Sequence, residues 1–177
     1  MKKILTVLLH ITGLFSFGQG TLTVVSGWNV YVATPPSYVN NPTKLYPTIT
    51  FFVGLGEVGT VASKAYQSGT NAYVKQGWKG DVTVDGKTTE FIVVTMQPSS
   101  AFPSEEAVET RMKWLRINYR VDLSNQFLTG LSHGGGMAGA QVSTGTYYKD
   151  YKAIVTYAGM LNDWNGGKPF AHFDNFA

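Results

Sequence analysis

The chain is expected to fold as an α/β domain, with a mostly parallel sheet carrying helices on both faces. Three observations lead there. The runs Thr48-Ile49-Thr50-Phe51-Phe52-Val53, Phe91-Ile92-Val93-Val94-Thr95-Met96 and Ala153-Ile154-Val155-Thr156-Tyr157 are continuously apolar or β-branched, as in strands buried on both faces. The segments between them carry helical spacing. Strands and helices alternate along the chain, an order that favours parallel strands joined by crossover helices. A length of 177 residues, 44% of them hydrophobic, fits one domain with a substantial core.

The N-terminus reads as an export signal. Lys2 and Lys3 precede a short apolar run over 4–9, and Ser16-Phe17-Gly18 supplies a small-x-small site before Gln19. His10 and Gly13 break the apolar stretch, which is too short to span a bilayer. The expected organisation is a signal peptide over 1–18 and a mature domain over 19–177, secreted or periplasmic. Removal of the two lysines takes the formal charge from +3 to +1. The remaining lysines are scattered and form no stripe, so neither nucleic acid nor an anionic membrane is an expected partner. The absence of cysteine excludes disulfides, thiolate metal sites and a cysteine nucleophile.

In the mature chain, residues 22–25 and 30–33 read as two strands around Ser26-Gly27, the second closed by Thr34-Pro35-Pro36. A polar, proline-bounded loop over 40–47 leads to the strand at 48–53. Helical segments are expected over 61–67 and 71–76. Asp85-Gly86 marks a tight turn, and Gln97-Pro98 closes the strand at 91–96. Ser104 caps a helix whose first turn holds Glu105 and Glu106. Val108, Met112, Leu115 and Tyr119 form its apolar face. Residues 126–129 form a strand, 137–147 a helix and 153–157 a further buried strand.

The most informative run is Gln126-Phe127-Leu128-Thr129-Gly130-Leu131-Ser132-His133-Gly134-Gly135-Gly136. A strand ends in Gly-x-Ser-x-Gly and a helix follows, the pattern that lifts a serine onto a sharp turn as a nucleophile. The glycines are expected because neighbouring backbone passes too close for a Cβ. Two Gly-x-Gly-x-x-Gly matches, at Gly54-Gly56-Gly59 and Gly134-Gly136-Gly139, lack the carboxylate at the end of the following strand that a dinucleotide ribose requires. No cofactor is expected. No His-x-x-His or similar spacing points to a metal.

With these segments in order, the sequence resembles the α/β-hydrolase family. The resemblance is to its secreted esterases: feruloyl esterases, polyhydroxybutyrate depolymerase-like esterases and dienelactone-hydrolase-like proteins. It rests on Tyr31-Val-Ala-Thr-Pro-Pro-Ser-Tyr38, Tyr46-Pro-Thr-Ile-Thr-Phe-Phe-Val-Gly-Leu-Gly-Glu57, the serine segment and Tyr151-Lys-Ala-Ile-Val-Thr-Tyr-Ala-Gly159. It runs through the mature chain to about Met160. The resemblance implies a serine esterase acting through an acyl-enzyme on Ser132. The His133 backbone N–H and that of Leu55 or Gly56 would stabilise the oxyanion. Where the family often carries His-Gly-x-Gly, this chain has Val53-Gly54-Leu55-Gly56, which bears on the loop's geometry more than on its donors.

The family's order of serine, acid, histidine leaves Asp150 or Asp163 with His172. Asp163, just past a strand's C-terminal end, is the better placed acid. Family members draw these residues from after later strands, and residues 166–177 carry three phenylalanines and no terminating feature. The domain is therefore expected to continue past Ala177 with its remaining strands and with the acid and base of the site, and residues 1–177 alone are expected to fold poorly and to show no esterase turnover. The substrate would be an ester, polysaccharide-linked, polymeric or small. The rival expectation is a non-catalytic hydrolase-like domain that binds glycan or polymer through Trp28, Trp78 and Trp164.

Overall fold

A computed structural model describes residues 20–143 and 146–159. The expected signal peptide, Asp163, Trp164 and His172 lie outside the described residues.

Eleven regular elements follow one another: β1 (Thr21–Val25), β2 (Trp28–Ala33), β3 (Tyr46–Phe52), α1 (Gly69–Lys75), β4 (Asp81–Val84), β5 (Lys87–Glu90), β6 (Ile92–Gln97), α2 (Glu105–Asn118), β7 (Val121–Leu131), α3 (His133–Ser143) and β8 (Ala153–Tyr157). Six strands form one sheet in the order β1-β2-β6-β3-β7-β8. β1 and β2 run antiparallel, β2 meets β6 antiparallel, and β6, β3, β7 and β8 are mutually parallel. The mostly parallel sheet with helices on both faces is thus present. No helix among the described residues is long and apolar enough to cross a membrane.

Alternation along the strands sorts side chains between two cores. Val30, Val32, Phe52, Val94, Met96 and Leu128 face α2 and α3, where Val108, Met112, Leu115, Met137 and Val142 meet them. Fully burying one such aliphatic side chain contributes about 1.5–3 kcal/mol. Ser104 caps α2, its hydroxyl accepting from the Ala107 N–H at 3.2 Å. Tyr31, Ala33 and Val93 point to the other face, where Val74 of α1 covers them.

The helix expected over 61–67 is a 3-10 turn (Ala62–Tyr66). The Asp85-Gly86 turn joins β4 to β5 in a separate two-stranded ribbon. Both turn residues have positive φ, as a two-residue hairpin turn of this hand requires. β7 begins at Val121, earlier than its apolar run, but its first part is irregular. Between Tyr46↔Val121 and Thr48↔Gln126 the register shifts. Residues there bulge around Asp122, whose carboxylate accepts from the Ser124 N–H at 3.0 Å and the Asn125 amide at 2.8 Å. α3 begins at His133 rather than at Met137. β8 corrects an expectation: its run reads as buried on both faces, yet Val155 is 58% and Tyr157 63% exposed. Among the described strands, β8 pairs with β7 alone. Ala153, Val155 and Tyr157 lie on the same sheet face as α1 and line an open hollow there.

Candidate active site

The site candidates gather where the parallel strands end. β3 and β7 are hydrogen-bonded neighbours, and Phe52 is in register with Gly130. The loop after β3 therefore lies beside the turn between β7 and α3. A Cβ on Gly54 would stand 3.6 Å from the Leu131 carbonyl oxygen.

Ser132 occupies that turn with φ at +52°. This left-handed conformation is costly for any residue with a Cβ, and it persists only where the surroundings hold it. They do. The Ser132 N–H donates to the Tyr157 carbonyl at 2.7 Å, and its own carbonyl accepts from the Gly136 N–H at 3.0 Å. The flanking glycines are required by close backbone approach. A Cβ on Gly130 would collide with the Gly134 carbonyl, and one on Gly134 with the Phe52 carbonyl, both well inside the 3.0 Å that real Cβ atoms respect. A serine raised on a strained strand–turn–helix junction presents its hydroxyl away from the sheet.

The loop facing it is a 3-10 turn over Leu55–Glu57. The Glu57 carboxylate closes it from below, accepting from the Gly54 N–H at 2.9 Å and from the Ser68 hydroxyl at 2.6 Å. Gly54 is thereby committed. Leu55 and Gly56 supply the first two amides of the turn, which have no acceptor within it. A chain of neutral amides fixes the turn to the sheet. The Asn29 side chain donates to Gln97 Oε1 at 2.8 Å, and Gln97 Nε2 donates to the Glu57 carbonyl at 2.6 Å and the Val61 carbonyl at 3.1 Å. Asn29 and Gln97 are almost fully buried in β2 and β6.

His133 places its backbone N–H at the start of α3, while its ring is 1% exposed. Its Nε2 accepts from the Phe102 N–H at 3.1 Å, and the Phe102 ring meets it edge-on at 5.0 Å. Burial pushes the imidazole below its ordinary value, and the Val53 backbone pulls it partly back up. A neutral ring whose Nε2 is an acceptor is a linchpin between loops, not a base for the neighbouring serine. His133 is the one histidine among the described residues. Asp150 sits in the 3-10 turn before β8, where its carboxylate lies 3.6 Å from Arg116 Nη2, at the opposite end of the strands from Ser132.

The two Gly-x-Gly-x-x-Gly matches do not build phosphate cradles. Gly56 lies in the 3-10 turn with α1 beginning only at Gly69, and Gly134 and Gly136 lie inside α3. No group of three His, Asp or Glu side chains among the described residues is placed to hold a metal ion. Two tryptophans expected as a binding platform are otherwise engaged. Trp28 is 3% exposed beneath the Arg111 guanidinium, and half-buried Trp78 donates from its indole N–H to the Asp81 carbonyl at 2.8 Å.

Four participants escape a reading of the sequence: Asn29, Gln97, Glu57 and Phe102. The available signal was amides in otherwise apolar strands, since a buried polar group must find partners.

Strand order, a single antiparallel strand near the start and a strained serine between β7 and α3 together define the α/β-hydrolase fold. No family model and no curated protein matches the sequence. Solved structures similar to the chain include esterases. Esterase 2 of Thermogutta terrifontis phosphorylated by paraoxon superposes with a TM-score of 0.59 at 14% identity, over 88% of this chain and 64% of that one. The same enzyme phosphonylated by sarin gives 0.58 at 14%, over 86% and 59%. A thermostable esterase gives 0.53 at 17%, over 76% and 39%. The chain thus spans less than two thirds of the length of these proteins.

Proposed function

We propose that the chain is an exported serine hydrolase that cleaves carboxylic esters through an acyl-enzyme on Ser132. The observation that carries this is the left-handed backbone at Ser132, locked between two glycines that cannot accept a Cβ. Folding alone favours glycine at such a position, and here a serine is held there at the junction of a strand and a helix, the arrangement that suits a nucleophile. The esterase neighbours support the reading at the level of fold, and the organophosphate adducts of the Thermogutta enzyme suggest the probe.

In this reading Ser132 Oγ attacks the ester carbonyl carbon and passes its proton to a base. The amides of Leu55 or Gly56 and of His133 receive the oxyanion. The carbonyl–alkoxy bond breaks, the alcohol leaves with the proton, and water then releases the acid. Among the residues of this sequence, Asp163 and His172 are the pair in the order acid then base that the role calls for. Removing one oxyanion donor would cost about 10²–10³ in turnover. Export rests on the charge, apolar run and small-x-small pattern of residues 1–18.

The test is labelling by a fluorophosphonate probe together with hydrolysis of p-nitrophenyl acetate. Both are expected with the full-length protein, and both should vanish in Ser132→Ala. Labelling that persists in Ser132→Ala, or a folded protein that neither labels nor hydrolyses, defeats the proposal. Export is tested separately: the mature protein should begin at Gln19.

A further inference from the structure

The turn after β3 is held without help from the residue at the strand's end. Val53 stands where the resemblance to the hydrolases would place a histidine, and its buried aliphatic side chain can make no hydrogen bond. Glu57 supplies the hold instead. Its carboxylate accepts from the Gly54 N–H at 2.9 Å and from the Ser68 hydroxyl at 2.6 Å. Its N–H donates to the Gly54 carbonyl at 3.0 Å, and its carbonyl accepts from Gln97 at 2.6 Å. The same carboxylate reaches toward the serine turn. A Cβ added at Gly54 would lie 3.5 Å from Glu57 Oε2 and 3.6 Å from the Leu131 carbonyl oxygen. Gly54 therefore lies between Glu57 and the residue before Ser132.

These bonds sort the amides of the turn. Those of Gly54, Glu57, Val58 and Gly59 donate to Glu57, Gly54, Leu55 and Pro98 respectively. Between them stand the N–H groups of Leu55 and Gly56. Each belongs to a peptide unit whose carbonyl, that of Gly54 for one and Leu55 for the other, already accepts a hydrogen bond. Such chains of hydrogen bonds polarise the N–H at their end. We propose that Glu57 is the positioning residue of the site: through Gly54 and Ser68 it sets the direction from which the Leu55 and Gly56 amides meet the oxyanion. This rests on the ester-hydrolase reading above. Glu57 touches no reacting atom. Its removal leaves both amides in the chain and takes away their aim, and a misplacement of about 1 Å is enough to cost about 10²-fold in rate.

The experiment compares Glu57→Ala, Glu57→Gln and Ser68→Ala in the full-length protein. The substrate is p-nitrophenyl acetate, and a trifluoromethyl ketone probes the oxyanion. In its adduct Ser132 Oγ bonds to the ketone carbon, the carbonyl π pair becomes the oxyanion, and the hydroxyl proton passes to the base. In Glu57→Ala, kcat and ketone affinity are both expected to fall about 10²-fold with KM nearly unchanged, the mark of an interaction made in the transition state. Glu57→Gln should keep kcat within about tenfold, because its amide oxygen can still accept from Gly54 while its NH₂ donates to the Ser68 oxygen. Ser68→Ala removes one hold and keeps the Gly54 contact, so its loss should be about tenfold, and it decides the matter if Glu57→Ala does not fold. Unchanged kcat in Glu57→Ala and Ser68→Ala, no rescue by Glu57→Gln, or a loss carried by KM with ketone affinity intact overturns the proposal and leaves the esterase reading standing. Absence of hydrolysis and labelling in the unmutated full-length protein defeats the esterase reading, and the proposal with it.

Discussion

At Ser132 a folding cost and a chemical opportunity occupy the same backbone angle. If the turn stores strain at φ +52°, releasing it should stabilise the protein. Ser132→Gly is expected to exceed Ser132→Ala in stability by about 1–2 kcal/mol, read from urea midpoints. Equal midpoints would mean that the turn is unstrained. His133 makes a second prediction. Its folded pKa is depressed, chiefly by burial, so the unfolded chain binds its proton more readily. Its contribution is therefore complete above about pH 6.5 and is lost as the pH falls through the folded value. The urea midpoint should drop between pH 7.5 and pH 5, with a shallower drop in His133→Gln. The serine turn was legible in the sequence because its glycines stand two residues either side of Ser132. The ring partner of His133 was not, because Phe102 arrives from 31 residues away.

Among the elements, α2 is tied to the middle of β7 and to the turn before β8 by a cluster of charged groups around the buried Glu109. Arg116 pairs with Glu109 at 2.5 Å, donates to Gln126 Oε1 at 2.9 Å and reaches Asp150 at 3.6 Å. Tyr151 donates to Glu109 at 3.4 Å, and burial, with the Glu109 charge, pushes its phenol far up. The Glu109 side chain is 3% exposed. Arg116→Met should therefore cost about 3 kcal/mol, because a buried carboxylate loses its cation. Adding Glu109→Gln should return part of that loss. If the single and double variants match in stability, the pair is not coupled. The same scale explains what the sequence hid. α3 opens with three consecutive glycines after His133, a poor helix start by propensity, yet close approach of the end of β3 demands the first and that of Gly159 the second. The bulge of β7 is polar and reads as a loop, although it pairs through Val121.

Across the described molecule the two sheet faces are unequal. α2 and α3 cover one, while α1 covers part of the other. This leaves a concavity of about 570 Å³ over Phe51, Phe91, Phe127, Leu131, Val155 and Tyr157. An open apolar surface of this kind takes up hydrophobic dyes. The folded 177-residue chain is expected to enhance anilinonaphthalene-sulfonate fluorescence, and Val155→Lys to reduce it without lowering the thermal midpoint. A midpoint that falls with Val155→Lys would show the face to be covered. The apolar run of β8 announced a strand but not its surroundings. Hydrophobicity records what a strand can bury, while exposure depends on what packs against it.

The β4–β5 ribbon offers a practical handle. It stands apart from the main sheet, its strands are largely exposed, and it turns on Asp85-Gly86. Loop tips of this kind accept foreign sequence readily. A peptide tag or a second domain spliced between these two residues would ride on the outside of the molecule. The serine turn, its glycines and the amide chain from Asn29 to Glu57 would be left as they are.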